Sequence, residues 1–374
     1  MESNEMQALL KPYGPPGLKC EVVPVPAPPG PGDVMIKVLA ASVCGTDLHI
    51  YGSDPSIRDR VAHNQIIGHE FCGEVVATGP QVTRVALGDL VSSESHIVCG
   101  TCEYCLDGLS HLCQEVSLIG VDRPGGLAQY AVIPEQNAIK KPRDISIEVA
   151  ATFDAYGNAV DTALCTPLVG KRVLISGCGP QGLMTIAIAI ASGARQVIGT
   201  ETQETRRQMA DNILEQHLRD PELKKRRKDV ILDARDPNLI DAIFQATNGL
   251  GVDVLLEMSG HRDAIRIGIS ALRNAGHAVL LGISSENLVE VDWSSLMFKG
   301  ITLHFRYGRH IYRTWSDGRH LLESGLVKLD PLIYPDYFEL KDYATAFQYL
   351  KEGRAAKVIF RPNGDFSKYQ THTV

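Results

Sequence analysis

The 374-residue chain has no surplus of positive charge: 37 Lys and Arg stand against 44 Asp and Glu, for a formal net charge of −7. That leaves no electrostatic case for nucleic acid. No apolar run reaches membrane-spanning length, and residues 1–20 show no basic segment followed by an apolar one, so neither a membrane partner nor a secretory leader is expected. Internal repeats and low-complexity tracts are also missing. The nine cysteines are odd in number and concentrated at one cluster, which argues against a disulfide framework and for a reducing compartment, the cytoplasm. What remains is a globular chain, 44% hydrophobic, long enough for two domains with a core each and suited to small-molecule partners.

Against that background two polar stretches stand out: Gly68-His69-Glu70, and the run from Cys99 to Cys105 that is closed by Cys113. In the second, Cys99, Cys102, Cys105 and Cys113 are separated by two, two and seven residues, so one loop can fold four thiols around a tetrahedral ion. Structural zinc fits this spacing better than an iron–sulfur cluster, whose common bacterial run places the fourth Cys after three residues and follows it with Pro. Packing alone gives no reason for so many thiols in so short a stretch. A tetrathiolate site has no open position, so the chemistry must lie elsewhere. Cys44, within Ser42-Val43-Cys44-Gly45-Thr46-Asp47-Leu48-His49, forms with His69 and Glu70 a set of ligand types that zinc accepts while keeping a place for a substrate oxygen. Taken singly, each of the three reads equally well as a buried thiol, a satisfied imidazole or a solvated carboxylate.

From Met6 to about Ile145, short strand patterns such as Val34–Ala40, Glu74–Ala77 and Gln129–Ile133 alternate with Pro- and Gly-rich breaks. This predicts a loop-rich β domain carrying the candidate ligands on its connections. At Ser146 the pattern changes. Helical spacing over Ile147–Leu168 leads to a strand, Lys171–Ser176, then to Gly177-Cys178-Gly179-Pro180-Gln181-Gly182, a small-residue helix over Leu183–Ala194, and a strand, Gln196–Thr200, ending at Glu201. A GxGxxG motif alone is weak evidence. Between a strand and a helix, with an acid nineteen residues past its last glycine, it predicts a dinucleotide site. The glycines allow the tight turn and the approach of a pyrophosphate to the helix N-terminus, and Glu201 accepts the ribose hydroxyls.

Continued alternation, including a helix expected over Ala264–Asn274 and a strand over His277–Gly282, predicts a parallel sheet with helices on both faces across residues 156–300. The remainder, Ile301–Val374, is expected to return and complete the first domain. A basic run over 219–229 interrupts the rhythm and reads as a solvated loop in preference to a phosphate site. Glu201 would repel a 2′-phosphate, so NAD is expected over NADP.

These segments in this order, with Ser95–Gly100, Phe153–Ala159, Met297–Gly300 and Tyr307-Gly308-Arg309, resemble the zinc-dependent medium-chain alcohol dehydrogenase superfamily over nearly the whole chain, and within it the threonine 3-dehydrogenase branch. The resemblance implies an α/β fold: a GroES-like, β-rich catalytic domain of 1–155 completed by 301–374, with a doubly wound Rossmann domain of 156–300 inserted. It implies that Cys44, His69 and Glu70 bind a catalytic zinc and Cys99, Cys102, Cys105 and Cys113 a structural one, giving two zincs per chain. Thr46 and His49 resemble the family's proton relay, and Asp154 its acid beside the metal. Around NAD the pattern points to Gly177, Gly179, Gln181, Gly182, Glu201, Arg206, Leu281, Gly282, Ile283, Arg306 and Tyr307.

The implied reaction is NAD-linked oxidation of a secondary hydroxyl, with L-threonine giving 2-amino-3-oxobutanoate, in a homotetramer. A polyol or diol dehydrogenase of the sorbitol or butanediol type would keep every metal ligand. A non-catalytic nucleotide-binding relative is opposed by the intact Cys44, His69 and Glu70. The chain departs from the family at Gln181, at Ala155 and Tyr156, at Ser284-Ser285 and in the 219–229 insertion. None of these removes a metal ligand or the ribose acid, so what they bear on is the substrate pocket.

Overall fold

The computed structural model describes residues 4–218, 222, 227–284, 288–366 and 369. The chain divides into two compact units, Met1–Ala155 with Ile333–Val374, and Tyr156–Leu332. Of the basic run, residues 219–221 and 223–226 lie outside the described residues, as does Ser285.

In the first unit the strand Asp33–Ser42 is the centre of a seven-stranded sheet. Its first half buries one face, at Val34, Ile36 and Val38, and from Leu39 onward both faces are covered, which is why the second half is wholly apolar or small until Ser42. It pairs antiparallel with Glu70–Thr78, setting Ser42 opposite Glu70. On its other edge it pairs with Lys357–Phe360, which returns from the far end of the sequence and sets Ile359 opposite the same Ser42. That register brings three distant segments to one point. Beneath them Leu9, Ile36, Phe71, Leu127, Phe347 and Phe360 form the core, each side chain fully buried, at about 1.5–3 kcal/mol of transfer free energy apiece.

The second unit is a six-stranded parallel sheet in the spatial order Val230–Asp233, Gln196–Glu201, Arg172–Ser176, Val252–Glu257, Leu272–Leu280, Thr302–Phe305. Gln196–Glu201 and Val252–Glu257 are buried along their whole length, as strands covered on both faces must be. The last strand pairs in parallel with Leu272–Leu280. It is reached through one more helix, Trp293–Lys299, which Asp292 caps and Gly300 ends in a left-handed conformation (φ 62°). Residues 301–332 therefore belong to the sheet unit, and the boundary expected at 300 falls at 332.

Two helices differ from the periodicity. The stretch Ile147–Leu168 is two helices, Ile147–Ala151 and Phe153–Ala163, broken at Thr152, whose N–H and hydroxyl both donate to the Val149 carbonyl. The helix expected to run to Asn274 stops at Ser270, because Leu272 already pairs with Val252 as a strand. An irregularity in that pairing takes up the following residues, with Ala275 at φ 56°. Here sheet pairing overrides local helical spacing.

Candidate active site

The four-thiol loop sits between two short strands, His96–Ile97 and Ser117–Leu118, that pair with each other. The Sγ atoms of Cys99, Cys102, Cys105 and Cys113 all lie within 4.8 Å of one another. Backbone N–H groups converge on the sulfurs: Thr101 (3.5 Å) and Cys102 (3.3 Å) donate to Cys99, and Cys99 (3.4 Å) and Glu115 (3.4 Å) donate to Cys113. These donors favour thiolate, and the Cys99 thiol is held down at about 6 by Thr101 first and Cys102 second. Four thiols turned inward with amide donors behind them fit a tetrahedral cation, and all nine cysteines of the chain are free.

The second donor set is built by the sheet register. Cys44 is the N-cap of the helix Gly45–Gly52, His69 precedes the strand Glu70–Thr78, and Glu70 is that strand's first residue. Their ligand atoms also lie within 4.8 Å of one another. Gly68 aims the pair: it takes φ 92°, and a Cβ there would stand 2.6 Å from Leu127 Cγ, so only glycine allows the turn. His69 is buried, and its Nδ1 has no hydrogen-bond partner among the described residues. Asp47, fully buried, accepts from the Cys44 N–H through Oδ2 (2.9 Å) and turns Oδ1 toward His69 Nδ1 at 4.0 Å. Glu70 takes both carboxylate oxygens to Lys357 Nζ (2.7 and 2.6 Å), which also donates to the Val43 carbonyl.

The electrostatics ask for a cation. Burial alone lowers the His69 pKa, yet Asp47, Cys44 and Asp154 together outweigh it and hold the imidazole well above its ordinary range. Burial raises the Asp47 carboxyl, which Glu70 pushes further in the same direction. A zinc ion held by Cys44, His69 and Glu70 would balance the negative charge gathered around His69 and leave a position open.

Thr46 and His49, three residues apart, lie on one side of the Gly45–Gly52 helix. Thr46 Oγ1 stands 3.9 Å from Cys44 Sγ, and the His49 side chain is 60% exposed, with Nδ1 3.1 Å from Asp54 Oδ2. One end of the pair is therefore at the donor set and the other at solvent. Asp154 is buried and accepts from the Ser95 N–H (3.0 Å). Beside it are two residues to which sequence reasoning gave no role, Glu94 and His96: Glu94, His96 and Asp154 form a third group of ligand-type atoms within 4.8 Å. Glu94 Oε1 accepts from the His96 N–H (2.9 Å) and lies 2.8 Å from its Nδ1. The available signal was the Glu-x-His spacing just ahead of the thiol loop, since residues two apart in extended chain share a face.

In the second unit, Gly177 (φ 91°) turns the chain out of Arg172–Ser176, and Gly179 caps the helix Pro180–Ala191. A Cβ at Gly182 would meet the Gly177 carbonyl at 1.9 Å, whereas the Cα of Gly179 faces open space. The Gly177 and Gly182 positions admit only glycine, Gly179 leaves room for a ligand, and the helix N-terminus that the loop exposes suits a pyrophosphate. Glu201, at the end of the adjacent strand, is buried and accepts from the N–H groups of Cys178 (3.1 Å), Thr202 (2.7 Å) and Gln203 (3.0 Å), so its position is fixed. Gln181 and Arg206 lie on the helices that follow these two strands. Leu281, Gly282 and Ile283 follow Leu272–Leu280, with the Leu281 and Gly282 N–H groups donating to the Glu257 carbonyl, and Arg306 and Tyr307 follow Thr302–Phe305. The expected cofactor residues thus gather at the carboxyl ends of the strands.

Residues 30–143 match the family model for the alcohol dehydrogenase GroES-like domain, and residues 180–324 that for zinc-binding dehydrogenase. The chain is 42% identical over 360 residues to the L-threonine 3-dehydrogenase of Pyrococcus horikoshii, covering 96% of this chain and 99% of that one. It is 39% identical over 357 residues to the L-threonine 3-dehydrogenase of Rhizobium etli, with 96% and 99% covered. The crystal structure of 2R,3R-butanediol dehydrogenase from Bacillus subtilis superposes with a TM-score of 0.83 at 26% identity, covering 96% of this chain and all of that one. With metal-type donor sets, a glycine-bounded nucleotide loop and this likeness along its length, the chain belongs to the zinc-dependent medium-chain alcohol dehydrogenase superfamily.

Proposed function

We propose that the protein is an L-threonine 3-dehydrogenase, oxidising the secondary hydroxyl of L-threonine to give 2-amino-3-oxobutanoate with NAD, and carrying two zincs per chain. The observation that carries this reading is the pair of buried acids, Glu94 and Asp154, grouped with His96, Asp154 being within electrostatic reach of His69. Negative charge there favours an alcohol that also bears an ammonium group. A diol gains nothing from it. The greater likeness to threonine dehydrogenases, 42% against 26% for the butanediol enzyme, supports the same choice.

Bound at the three-donor set, zinc supplies Lewis acidity toward the substrate hydroxyl, and the dinucleotide supplies the hydride acceptor. The chain's own residues do the rest. Cys44, His69 and Glu70 hold the metal, with Asp47 and Lys357 fixing their orientation. The Thr46 hydroxyl can accept the substrate proton while donating its own, and His49, at the solvent end of the same helix face, takes the proton onward. Glu201 and the Gly177–Gly182 loop receive the adenosine half and pyrophosphate. The Glu201 carboxylate supports NAD over NADP, because a 2′-phosphate would replace a hydroxyl hydrogen bond with repulsion.

Homotetrameric assembly and a cytoplasmic location complete this reading. Assembly is supported by exposed apolar residues, Trp293, Met297 and Phe298 on one helix and Phe305 on the sheet's edge strand, and the location by the free thiols. The test is NADH formation with L-threonine, its stereoisomers, sorbitol, xylitol and 2,3-butanediol. Highest kcat/KM for L-threonine is expected; a higher value for any polyol or diol would transfer the chain to that branch.

A further inference from the structure

The turn Arg306–His310 leaves the carboxyl end of the sheet's edge strand, and one face of the helix Phe153–Ala163 grips it at several points. The Arg306 Nε donates to Asp161 Oδ2 at 2.7 Å, and Arg306 Nη2 bonds the same oxygen. The His310 N–H donates to Asp161 Oδ1 (3.2 Å), and His310 Nδ1 lies 2.8 Å from that oxygen and 2.7 Å from Arg306 Nη2. One helical turn earlier, Asn158 Oδ1 accepts from Nη1 of Arg309, which has no exposed surface (3.1 Å). Gly157 lets that side chain in: a Cβ there would stand 2.6 Å from Arg309 Cδ. Asp161 is 6% exposed in its side chain and Arg306 18%. Burying this much charge costs free energy that a solvent-exposed turn would not need to spend, so the fixed shape of the turn calls for a reason.

Its location gives one. In a doubly wound sheet the ligand lies across the carboxyl ends of the strands, where the strand order reverses, here between Arg172–Ser176 and Val252–Glu257. Glu201 fixes the ribose end on one side of that point. The other half of an extended dinucleotide must then lie over the ends of Val252–Glu257, Leu272–Leu280 and Thr302–Phe305, the last of which runs into the gripped turn. The Arg306 N–H donates to the Leu280 carbonyl (2.8 Å), which ties the turn to the neighbouring strand end, while Tyr307 is 56% exposed.

We propose that Asp161 and Asn158 are positioning residues for the nicotinamide half of the cofactor: by holding Arg306, Arg309 and His310 they fix the turn that presents Arg306 and Tyr307 at the cofactor crevice. This rests on dinucleotide use, not on the identity of the alcohol. The test is fluorescence titration of the purified, zinc-loaded protein with NADH, and calorimetric titration with ADP-ribose, which has the adenosine half but no nicotinamide. For Asp161→Asn the NADH dissociation constant should rise about tenfold while that for ADP-ribose stays within about twofold. Asn158→Ala should shift NADH in the same direction with a smaller factor, and it serves alone if Asp161→Asn does not fold. Asp161→Glu, which keeps the charge, should recover part of the loss. Equal weakening of both ligands would show that the ties only support the domain, and unchanged NADH binding would remove the role altogether. Wild-type protein that binds neither ligand would instead overturn dinucleotide use itself.

Discussion

The two donor sets in the first unit answer the same chemical question in opposite ways. The four thiols come from one short loop, with backbone N–H groups supplying the polarity around them. Cys44, His69 and Glu70 come from the start of a helix and the approach to a strand, and they are braced by Asp47 and by Lys357, 287 residues beyond Glu70 in sequence. A loop can assemble the first set without the sheet. Only the finished fold assembles the second. A site that must do no more than hold chain together can be closed and local, whereas one that must keep a position open needs rigid support from outside its own ligands.

The largest expected effect tests that contrast directly. Cys44→Ser should reduce turnover to background while circular dichroism and Tm stay near wild type, because it removes a ligand of the open site from a fold that does not depend on it. Cys102→Ser should do the reverse, lowering Tm and yield while folded molecules retain much of their kcat, since a structural metal contributes folding free energy. Metal analysis should return two zincs per chain for the wild type and one for each variant. One zinc in fully active wild-type protein would end the two-site assignment.

Next in size is the proposed proton relay, which only the open set would require. His49→Asn should lower kcat by about 10²–10⁴-fold, the usual worth of general acid–base catalysis, with zinc content and NAD affinity unchanged. Thr46→Val should match it, because valine keeps the shape and loses the hydroxyl that stands 3.9 Å from Cys44 Sγ. The measurement is a kcat–pH profile with zinc occupancy determined in parallel. Wild-type kcat across pH 6–10 in His49→Asn would return that exposed residue to its pairing with Asp54 alone.

Breaking the brace at Lys357 comes third. Its side chain is 2% exposed and Glu70 is fully buried, so in protein stripped of zinc Lys357→Met leaves a carboxylate with no counter-ion, a defect that costs about 3–5 kcal/mol in stability. Urea denaturation of wild type and variant measures it. A loss below about 1 kcal/mol in the stripped protein would mean that Lys357 is not what stabilises the buried Glu70.

What could be read from the chain divides along the same line. The thiol loop was legible because its ligands are neighbours in sequence, and the glycine loop with Glu201 because a strand, a turn and a helix constrain one another over about thirty residues. Thr46, His49 and Asp154 took their roles from family resemblance, since nothing in their spacing distinguishes a relay or a tuning acid from surface and core residues. Lys357 and Asp47 were not singled out at all: a lysine in an apolar closing strand carries no sign of its partner until the antiparallel register with Asp33–Ser42 sets it beside Glu70. The boundary at 332 was missed for a related reason. Thr302–Phe305 is a four-residue edge strand with little burial, and its membership in the sheet is decided by pairing with Leu272–Leu280, not by its own pattern.

The smallest expected effect is also the most selective between the two donor sets. Asp47 Oδ2 accepts from the Cys44 N–H while Oδ1 faces His69 Nδ1 at 4.0 Å, so one buried carboxylate orients two of the three proposed ligands of the open site and adds negative charge behind them. Asp47→Asn keeps a carbonyl oxygen to accept from Cys44 and changes little in size, which isolates the charge. Loss of such a supporting group typically costs 10–100-fold in metal affinity. Zinc at the Cys44 site should therefore leave about 10–100-fold more readily, while the four-thiol site, which has no contact with Asp47 among those described, should hold its metal as before. Dialysis against graded chelator, with zinc counted and activity followed in parallel, separates the two. In wild type the open-site zinc should depart first, together with activity. In Asp47→Asn that first step should move to lower chelator concentration and the second should stay in place. A parallel shift of both steps would mean that Asp47 supports the whole unit rather than the open site, and the contrast between a local site and a fold-built one would then lose its clearest support.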